Sequence, residues 1–468
     1  MISKKKLYNG LVWSTVDKFL IVGIQIIIEI VLARFISPKE YGVMGILLII
    51  ISFSQVLVDS GLGSSLIFKK DRSEADFSTA FYASLMMGLF TYLFIFFLAP
   101  YIAIFFKSTI VSHIRIISFT IIISSISVIY KTKLSIDIDF KSQAKFSFFA
   151  IVISGIVGVG MAIMNCGIWA LIAQNLSFNF LTLLFLVVNL KWLPKEKFSL
   201  KNFKELFKYS SKLLYAGILN SLYINLNSLF LGKFFHAKEL GYYTKSYQFT
   251  IFPASIFTNV VQRVLFPYYT SIQADKPKLY DHTILYNRVI FAGIFPIISV
   301  VILYAPQIIV FFLSSTWQGM VLPFQILLGS ILFYPLIVLN MNVFQVLGKT
   351  NNFFWIEVIT KIIGILILIL LYPYGIKGIC FGVFIQFFLQ YIITSFSVAK
   401  ITSQSFVRSL EVIWYFIIGS AFLFGLFYLK NKSFIILPIF IAILIYGLFL
   451  YIAFKKELVF VYQKIFKK

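Results

Sequence analysis

An all-α integral membrane protein is the fold class this sequence predicts, and three observations carry that expectation. Hydrophobic residues make up 60% of the 468, aromatic residues 19% and charged residues only 12%, with a mean hydropathy of +0.94. That is far more apolar than a soluble domain of this length. Fourteen apolar stretches are long enough, at about 20 residues each, to cross a hydrocarbon core. They fall at roughly 11-32, 41-68, 79-106, 110-130, 146-164, 167-190, 210-232, 246-271, 284-313, 320-346, 353-373, 376-399, 411-429 and 433-454. Uniform apolarity over such runs, instead of alternation in stretches of about ten, reads as helices and not barrel strands.

The third observation is an internal repeat. LGKFFHAKELGYY (Leu231 to Tyr243) follows LARFISPKEYGVM (Leu32 to Met44) without a gap, matching at Leu, Phe, Lys, Glu and Gly, with Arg34 answered by Lys233. Each copy is a short charged turn between two apolar stretches, which predicts two membrane-embedded halves of one design. A weaker echo links the sixth and twelfth spans, where NCGIWALIAQ (Asn165 to Gln174) and PYGIKGICFG (Pro373 to Gly382) share a Gly-Ile pair. An even number of spans per half makes both halves enter the membrane from the same side, related by an axis along its normal.

A net charge of +24 is common in nucleic-acid-binding chains, but its placement here is a topology signal. With the N-terminus in the cytoplasm, cytoplasmic segments hold 28 of the 41 Lys and Arg residues and external turns hold 10. This bias fits the positive-inside rule with both termini cytoplasmic, and it favours an anionic inner leaflet. No nucleic-acid partner is expected. Residues 4-32 resemble a signal peptide only in having a basic start. The run carries Asp17, Lys18 and Glu29 and lacks a small-residue cleavage site, so an uncleaved first helix is expected.

The longest hydrophilic stretch, KWLPKEKFSLKNFKELFKYSSK (Lys191 to Lys212), falls where the repeat requires a joint. Phe198, Phe203, Leu206 and Phe207 recur among its lysines at helical spacing, which predicts a short amphipathic helix on the cytoplasmic surface. The expected organisation is therefore a six-helix bundle over 1-190, a cytoplasmic linker over 191-209 and a second six-helix bundle over 210-400. Two additional helices over 411-454 and a basic tail over 455-468 complete it. The fourteenth span, Phe434 to Phe454, is apolar on every face; it would face lipid or help form a groove for a lipid tail. Cys166 and Cys380 sit at membrane edges without metal-ligand spacing, and His113, His236 and His282 are scattered singly, so neither metal nor other cofactor is expected.

Polar residues inside the membrane are expensive and point to function. At 100° per residue the first span places Ser14, Asp17, Lys18, Gln25 and Glu29 in one sector, and the second aligns Gly45, Ser52, Gln55, Asp59 and Gly63. The seventh aligns Asn220, Tyr223 and Asn227, and the eighth aligns Gln248, Ser255, Thr258, Asn259 and Gln262 with Arg263 on its flank. A cavity lined by the opening pair of each half accounts for all four stripes. Asp17, Lys18, Asp59 and Arg263 would share one layer roughly 10 Å below the cytoplasmic surface at 1.5 Å per residue, with Glu29 nearer the outside. The alternative is a set of structural ion pairs pinning the halves together. Lys361 and Glu357, four residues apart, read as a local pair.

The chain resembles the bacterial polysaccharide exporters and lipid-linked oligosaccharide flippases of the multidrug/oligosaccharidyl-lipid/polysaccharide superfamily, in particular the lipopolysaccharide and colanic-acid type. The stretches that carry the resemblance are LARFISPKEYGVMG (Leu32 to Gly45), DSGLGSSLIFKKDRSEADFSTAFYASL (Asp59 to Leu85), GIWALIAQ (Gly167 to Gln174) and YSSKLLYAGILNSLYINLNSLFLGKFFHAKELGYYTKSYQF (Tyr209 to Phe249). The resemblance implies two six-helix bundles that alternate between inward-open and outward-open states in the bacterial cytoplasmic membrane. It implies an undecaprenyl-diphosphate-linked oligosaccharide as cargo, for O-antigen, exopolysaccharide or lipopolysaccharide synthesis, with polymerase machinery as a further partner beside the membrane lipids. A cationic cavity would take the diphosphate, with Lys18 and Arg263 in plausible positions and Gln25, Gln55, Asn220, Asn227, Asn259 and Gln262 lining it. Asp17, Glu29 and Asp59 equally suit ion coupling, so the driving force stays open.

Two other readings compete. An ion-coupled exporter of cationic drugs, from the same superfamily, would use Asp17, Glu29 and Asp59 as coupling or substrate carboxylates. A membrane-bound sugar polymerase or ligase would need a catalytic constellation on a sizeable external loop, whereas the longest external turn, Lys233 to Lys245, is about a dozen residues. The expectation is a transporter and no catalytic residue.

Overall fold

The computed structural model describes residues 21–59 and 61–410. Among these residues there is no strand, and nine helical segments are long and apolar enough to cross a membrane. The protein is an all-α multi-pass membrane protein. The two expected C-terminal spans lie outside the described residues, and so does the first span before residue 21. The eleventh and twelfth are the helices Thr350–Leu371 and Gly375–Thr402, parted by a short turn over Tyr372–Tyr374. The expected seventh lies in a helix whose Asn220, Asn225 and Asn227 keep it from counting among the nine.

Helix α1 covers 21–35. It is followed by α2 (Pro38–Asp59), α3 (Leu62–Phe68), α4 (Glu74–Phe105), α5 (Val111–Ile117), α6 (Phe119–Ile136), α7 (Phe140–Ile163), α8 (Ile168–Leu190) and α9 (Leu200–Phe234). Then come α10 (Ala237–Ser271), α11 (Lys276–Leu313), α12 (Val321–Ile331), α13 (Tyr334–Val346), α14 (Thr350–Leu371) and α15 (Gly375–Thr402). Contacts divide the chain into two units. One runs to Lys245 and includes Phe312–Trp317; the other comprises Ser246–Phe311 and the chain from Gln318. The boundary falls within α10, beyond the linker expected at 191–209.

In the first unit the quoted sequence motifs become capping and packing devices. Ser37 caps α2: its N–H and hydroxyl donate to Glu40 Oε2 at 2.9 and 2.8 Å, and the Glu40 N–H returns to Ser37 Oγ at 3.4 Å. That is a capping box, which satisfies donors the first helical turn leaves open. Ser73 and Asp76 build the same box at the start of α4. Lys69 bridges Asp76 and Glu205, each at 3.0 Å, and so ties the turn before α4 to the start of α9. Burial opposes the charged lysine, yet hydrogen bonds to the two carboxylates raise its pKa above the ordinary value.

The linker is strapped onto the same end of this unit. Trp192 donates its indole N–H to Glu74 Oε1 at 2.6 Å and accepts the Tyr130 hydroxyl on its carbonyl at 2.8 Å. Further along, the N–H groups of Glu196 and Ser199 donate to Ser78 and Thr79. A separate amphipathic helix does not form. From the Ser199 cap, α9 runs unbroken for 35 residues, because nothing between Leu200 and Tyr215 breaks a helix. At 1.5 Å per residue it is about 52 Å long, which exceeds a hydrocarbon core of about 30 Å, so its amphipathic opening turns extend past the membrane.

The repeat shows in two irregularities. The expected fourth span is broken between α5 and α6 at Ser118, where the Ser118 and Thr120 hydroxyls turn back onto the Ile114 and Ile117 carbonyls at 2.6 and 2.7 Å, a bond that bends helices. Its repeat partner, the tenth, is broken between α12 and α13, ahead of Pro335. Proline also interrupts the third and ninth spans, at Pro100 in α4 and Pro306 in α11. Proline cannot donate to the carbonyl four residues before it, and in each case a side chain from the next span does so. Arg115 Nε reaches Phe96 O at 3.3 Å, and Gln325 Nε2 reaches Ile302 O at 2.8 Å.

A polar seam runs through the second unit. Asn287 of α11 donates to Asn340 Oδ1 of α13 at 2.9 Å, and Asn340 Nδ2 donates to Thr394 and Ser395 of α15 at 3.1 and 3.0 Å. Tyr280 and Tyr391 both reach Ser409, at 2.9 and 3.0 Å. Buried polar groups that satisfy one another in this way fix helix register where apolar packing alone would let helices slide. Lys361 pairs with Glu357 at 3.7 Å, as its spacing predicts.

Candidate transport site

The two copies of the repeated turn meet inside the first unit. Gly42 lies against the carbonyl of Ala237, and Gly241 lies against the carbonyl of Pro38, each so closely that a Cβ would overlap the backbone. Gly42 and Gly241 are equivalent positions of the repeat, as are Pro38 and Ala237. The contact is therefore reciprocal, and glycine is required on both sides of it. Gly167, held at φ 56, fits against Glu40 Oε1 of the first capping box, which brings the GIWALIAQ motif to the same place. Trp169 of that motif stacks on His113 at 4.6 Å.

Beside this contact lies a buried charge cluster. Glu29 of α1 and Lys245 of α10 are 9% and 2% exposed and form an ion pair. The Tyr41 hydroxyl of α2 donates to the same carboxylate oxygen at 3.2 Å, and the Lys245 ammonium sits 4.0 Å from the Tyr41 ring centroid. Trp317 packs edge-on against Tyr41 and donates its indole N–H to Ala33 O at 2.8 Å. Three helices are thus joined by one desolvated pair, with an aromatic face supplying further stabilisation to the cation.

The other candidate residues are distributed as follows. Asp17 and Lys18 lie outside the described residues. In the first unit, Gln25 is half-buried on α1, and Gln55 donates to Asp59 Oδ1 at 3.3 Å on α2. Lys131 of α6 lies within electrostatic reach of Asp59. Asn220 is exposed and Asn227 half-buried on α9. In the second unit, Asn259 and Arg263 are exposed on α10, while Gln262 donates to Asn342 Oδ1 of α13 at 3.1 Å. Asp59 and Arg263 fall in different units. Glu29 is thus drawn into a cluster whose other members, Lys245 and Tyr41, the sequence reading passed over. It also passed over Asn225, which reaches from α9 to Ser52 Oγ of α2 at 2.9 Å, and Asn340 and Asn342, whose signal was two amides inside an apolar span.

The family model of a polysaccharide biosynthesis protein matches residues 31–322. The chain belongs to that family. Among its curated relatives is the teichuronic acid biosynthesis protein TuaB of Bacillus subtilis, 26% identical over 56% of this chain. Another is the succinoglycan biosynthesis transport protein ExoT of Rhizobium meliloti, 22% identical over 59%. The chain spans about half the length of these two relatives, 55% and 56% respectively. The lipopolysaccharide biosynthesis protein WzxC of Escherichia coli is 22% identical over 79% of this chain and 82% of its own length. Among solved structures, the lipid II flippase MurJ in an inward closed conformation superposes with a TM-score of 0.72 at 15% identity, covering 96% of this chain and all of its own. An inward-facing MATE multidrug transporter gives 0.61 at 14% identity, over 83% of this chain and 98% of its own. These two likenesses show a shared fold.

Proposed function

We propose that this family member moves a polyprenyl-diphosphate-linked oligosaccharide unit from the inner to the outer leaflet of the bacterial cytoplasmic membrane for surface polysaccharide synthesis, by alternating access. The observation that carries the reading is the reciprocal meeting of the two repeated turns beside a buried ion pair. Two glycine faces held by van der Waals contact can part without leaving unpaired polar groups, while Glu29–Lys245 and Tyr41 supply a discrete interaction to make and break. Repeat-related elements that meet around one axis are the usual mechanical basis of alternating access. The names of the relatives support the cargo class, and a sugar-bearing diphosphate needs such a path because it cannot cross about 30 Å of hydrocarbon unaided. On this reading both termini are cytoplasmic, the reciprocal turns face outward, and the two six-helix bundles are those expected at 1-190 and 210-400. Lys18 and Arg263 contact the diphosphate, with Gln25, Gln55, Asn220, Asn227, Asn259 and Gln262 along the path. The carrier is undecaprenyl diphosphate, polymerase machinery receives the product, and the protein carries out no catalysis.

Among the coupling candidates Asp17, Glu29 and Asp59, the pairing of Glu29 with Lys245 favours Asp59, whose carboxylate keeps open surface. The multidrug exporter remains the second reading, favoured by the MATE likeness. The deciding measurement is the sidedness of the lipid-linked oligosaccharide in a deletion strain without a redundant flippase, read by an impermeant glycosidase or lectin. Accumulation on the cytoplasmic leaflet with loss of surface polymer is expected. Normal delivery to the outer leaflet, together with new sensitivity to cationic drugs, would replace this reading by the exporter.

A further inference from the structure

On the outside of the first unit, α4, α5 and α6 enclose an open groove of about 1170 Å³. Its floor is apolar and aromatic, with Tyr92, Phe96, Ile104 and Phe119 along it, and Tyr92 and Phe119 in contact at 4.9 Å. Where α4 passes into α5, the character changes. Lys107 and Arg115 line that end, with the hydroxyls of Ser108 and Ser112 beside them. Neither cation is in an ion pair among the described residues.

Arg115 is held in a particular way. Its Nε donates to the Phe96 carbonyl that Pro100 leaves without a helical donor, and its guanidinium lies 4.3 Å from the Phe96 ring centroid. The two terminal amino groups have no protein partner among the described residues, so a planar pair of donors is presented to the groove in a fixed orientation. At the equivalent place in the second unit, Gln325 satisfies the carbonyl that Pro306 exposes. A neutral amide is therefore sufficient for the structural task, and the charge of Arg115 is surplus to it. A guanidinium with two free amino groups matches a phosphate in geometry and charge, and an apolar trough running away from it matches an acyl chain.

We infer that this groove binds one anionic phospholipid, its phosphate held by Arg115 and Lys107 and one chain laid along Tyr92 to Phe119. In the orientation proposed above it belongs to the outer leaflet, but the binding itself does not depend on that orientation or on the cargo, so failure here would leave the flippase reading intact.

Native mass spectrometry of the full chain in mixed micelles, titrated with phosphatidylglycerol or with phosphatidylcholine of the same chains, tests the assignment. Arg115→Gln retains the bond to Phe96, and Lys278→Gln, at an exposed site elsewhere, removes the same charge as a control. Each of Arg115→Gln and Lys107→Gln should weaken phosphatidylglycerol binding about fivefold, and together about 25-fold, at roughly one such factor per basic side chain near an anionic headgroup. Lys278→Gln and the phosphatidylcholine titration should show no such dependence. Ser112→Trp fills the groove with both charges in place and should also displace the lipid, which keeps the test available if Arg115→Gln folds poorly. Equal losses in Lys278→Gln, unchanged binding in both Arg115→Gln and Ser112→Trp, or preferential occupancy by undecaprenyl phosphate would overturn the assignment.

Discussion

Replacing Lys245 by alanine should be among the most damaging single changes in the first unit, and the reason lies in what it leaves behind. Glu29 would stay 9% exposed with only the Tyr41 hydroxyl, 3.2 Å away, as its partner among the described residues. Breaking a buried ion pair from one side costs about 3–5 kcal/mol, because the remaining charge is uncompensated. For a unit of roughly 250 residues each kcal/mol shifts the midpoint by about 2 °C, so Lys245→Ala should lower the melting temperature by about 6–10 °C, and Glu29→Ala should lower it as well. Removing both partners takes the charge away altogether, so the double variant should recover most of the loss. The assay is a double-mutant cycle of thermal unfolding in one detergent, with transport followed in parallel. A double variant as unstable as the sum of the two singles would refute the pairing. One that regains stability without regaining transport would assign the pair to the conformational cycle as well as to the fold.

The reciprocal glycines give a second test: Gly241→Ala places a methyl group against the Pro38 backbone, and overpacking of that kind costs about 1–3 kcal/mol, read as a lower melting temperature, whereas Gly293→Ala, which meets open space, should not. Lys69 sets a pH expectation. Its pKa is raised in the folded protein, so its contribution is fully present below the unfolded value of about 10.4 and is lost as pH rises through the folded value; the alkaline fall in stability should be shallower in Lys69→Met. Topology is tested by an impermeant maleimide on intact cells, which should reach cysteines placed at Asn165 and Lys377 but not at Lys197 or Lys278; strong labelling at Lys197 would reverse the orientation.

Much of the helical architecture was readable because apolar length and helical spacing are short-range properties. The spacing of Glu357 and Lys361 predicts their pairing, whereas the caps at Ser37 and Ser73 start α2 and α4 three and five residues ahead of the apolar runs expected from 41 and 79. The partner of Glu29 was not readable in that way. The eighth apolar run was expected to begin at 246, which left Lys245 among the charges of an external turn. In the structure α10 already begins at Ala237, which carries Lys245 two turns into the helix and buries it. The sequence pattern registers where hydrophobicity begins, whereas the helix begins where its first turn finds a stop in the preceding chain. The bond from Asn225 to Ser52 was missed for a related reason. Helical-wheel alignment sorts residues by direction, and Asn225 points away from the sector of Asn220 and Asn227, towards a neighbour that only packing can supply.

The glycine contact also bears on how such a chain tolerates change. Were the two copies of the repeat separate molecules, Gly42 meeting the partner's position 237 and Gly241 meeting the partner's position 38 would constitute a self-matched patch of a twofold dimer, in which every alteration appears twice. Joined in one chain, the copies are free to differ. That freedom permits a basic residue at 115 where the second copy has an amide at 325, and lets Glu29 pair with Lys245 while the equivalent positions hold Ser228 and Ile46. The glycine contact itself is symmetric, and joining the copies in one chain lets the residues around it differ from one copy to the other.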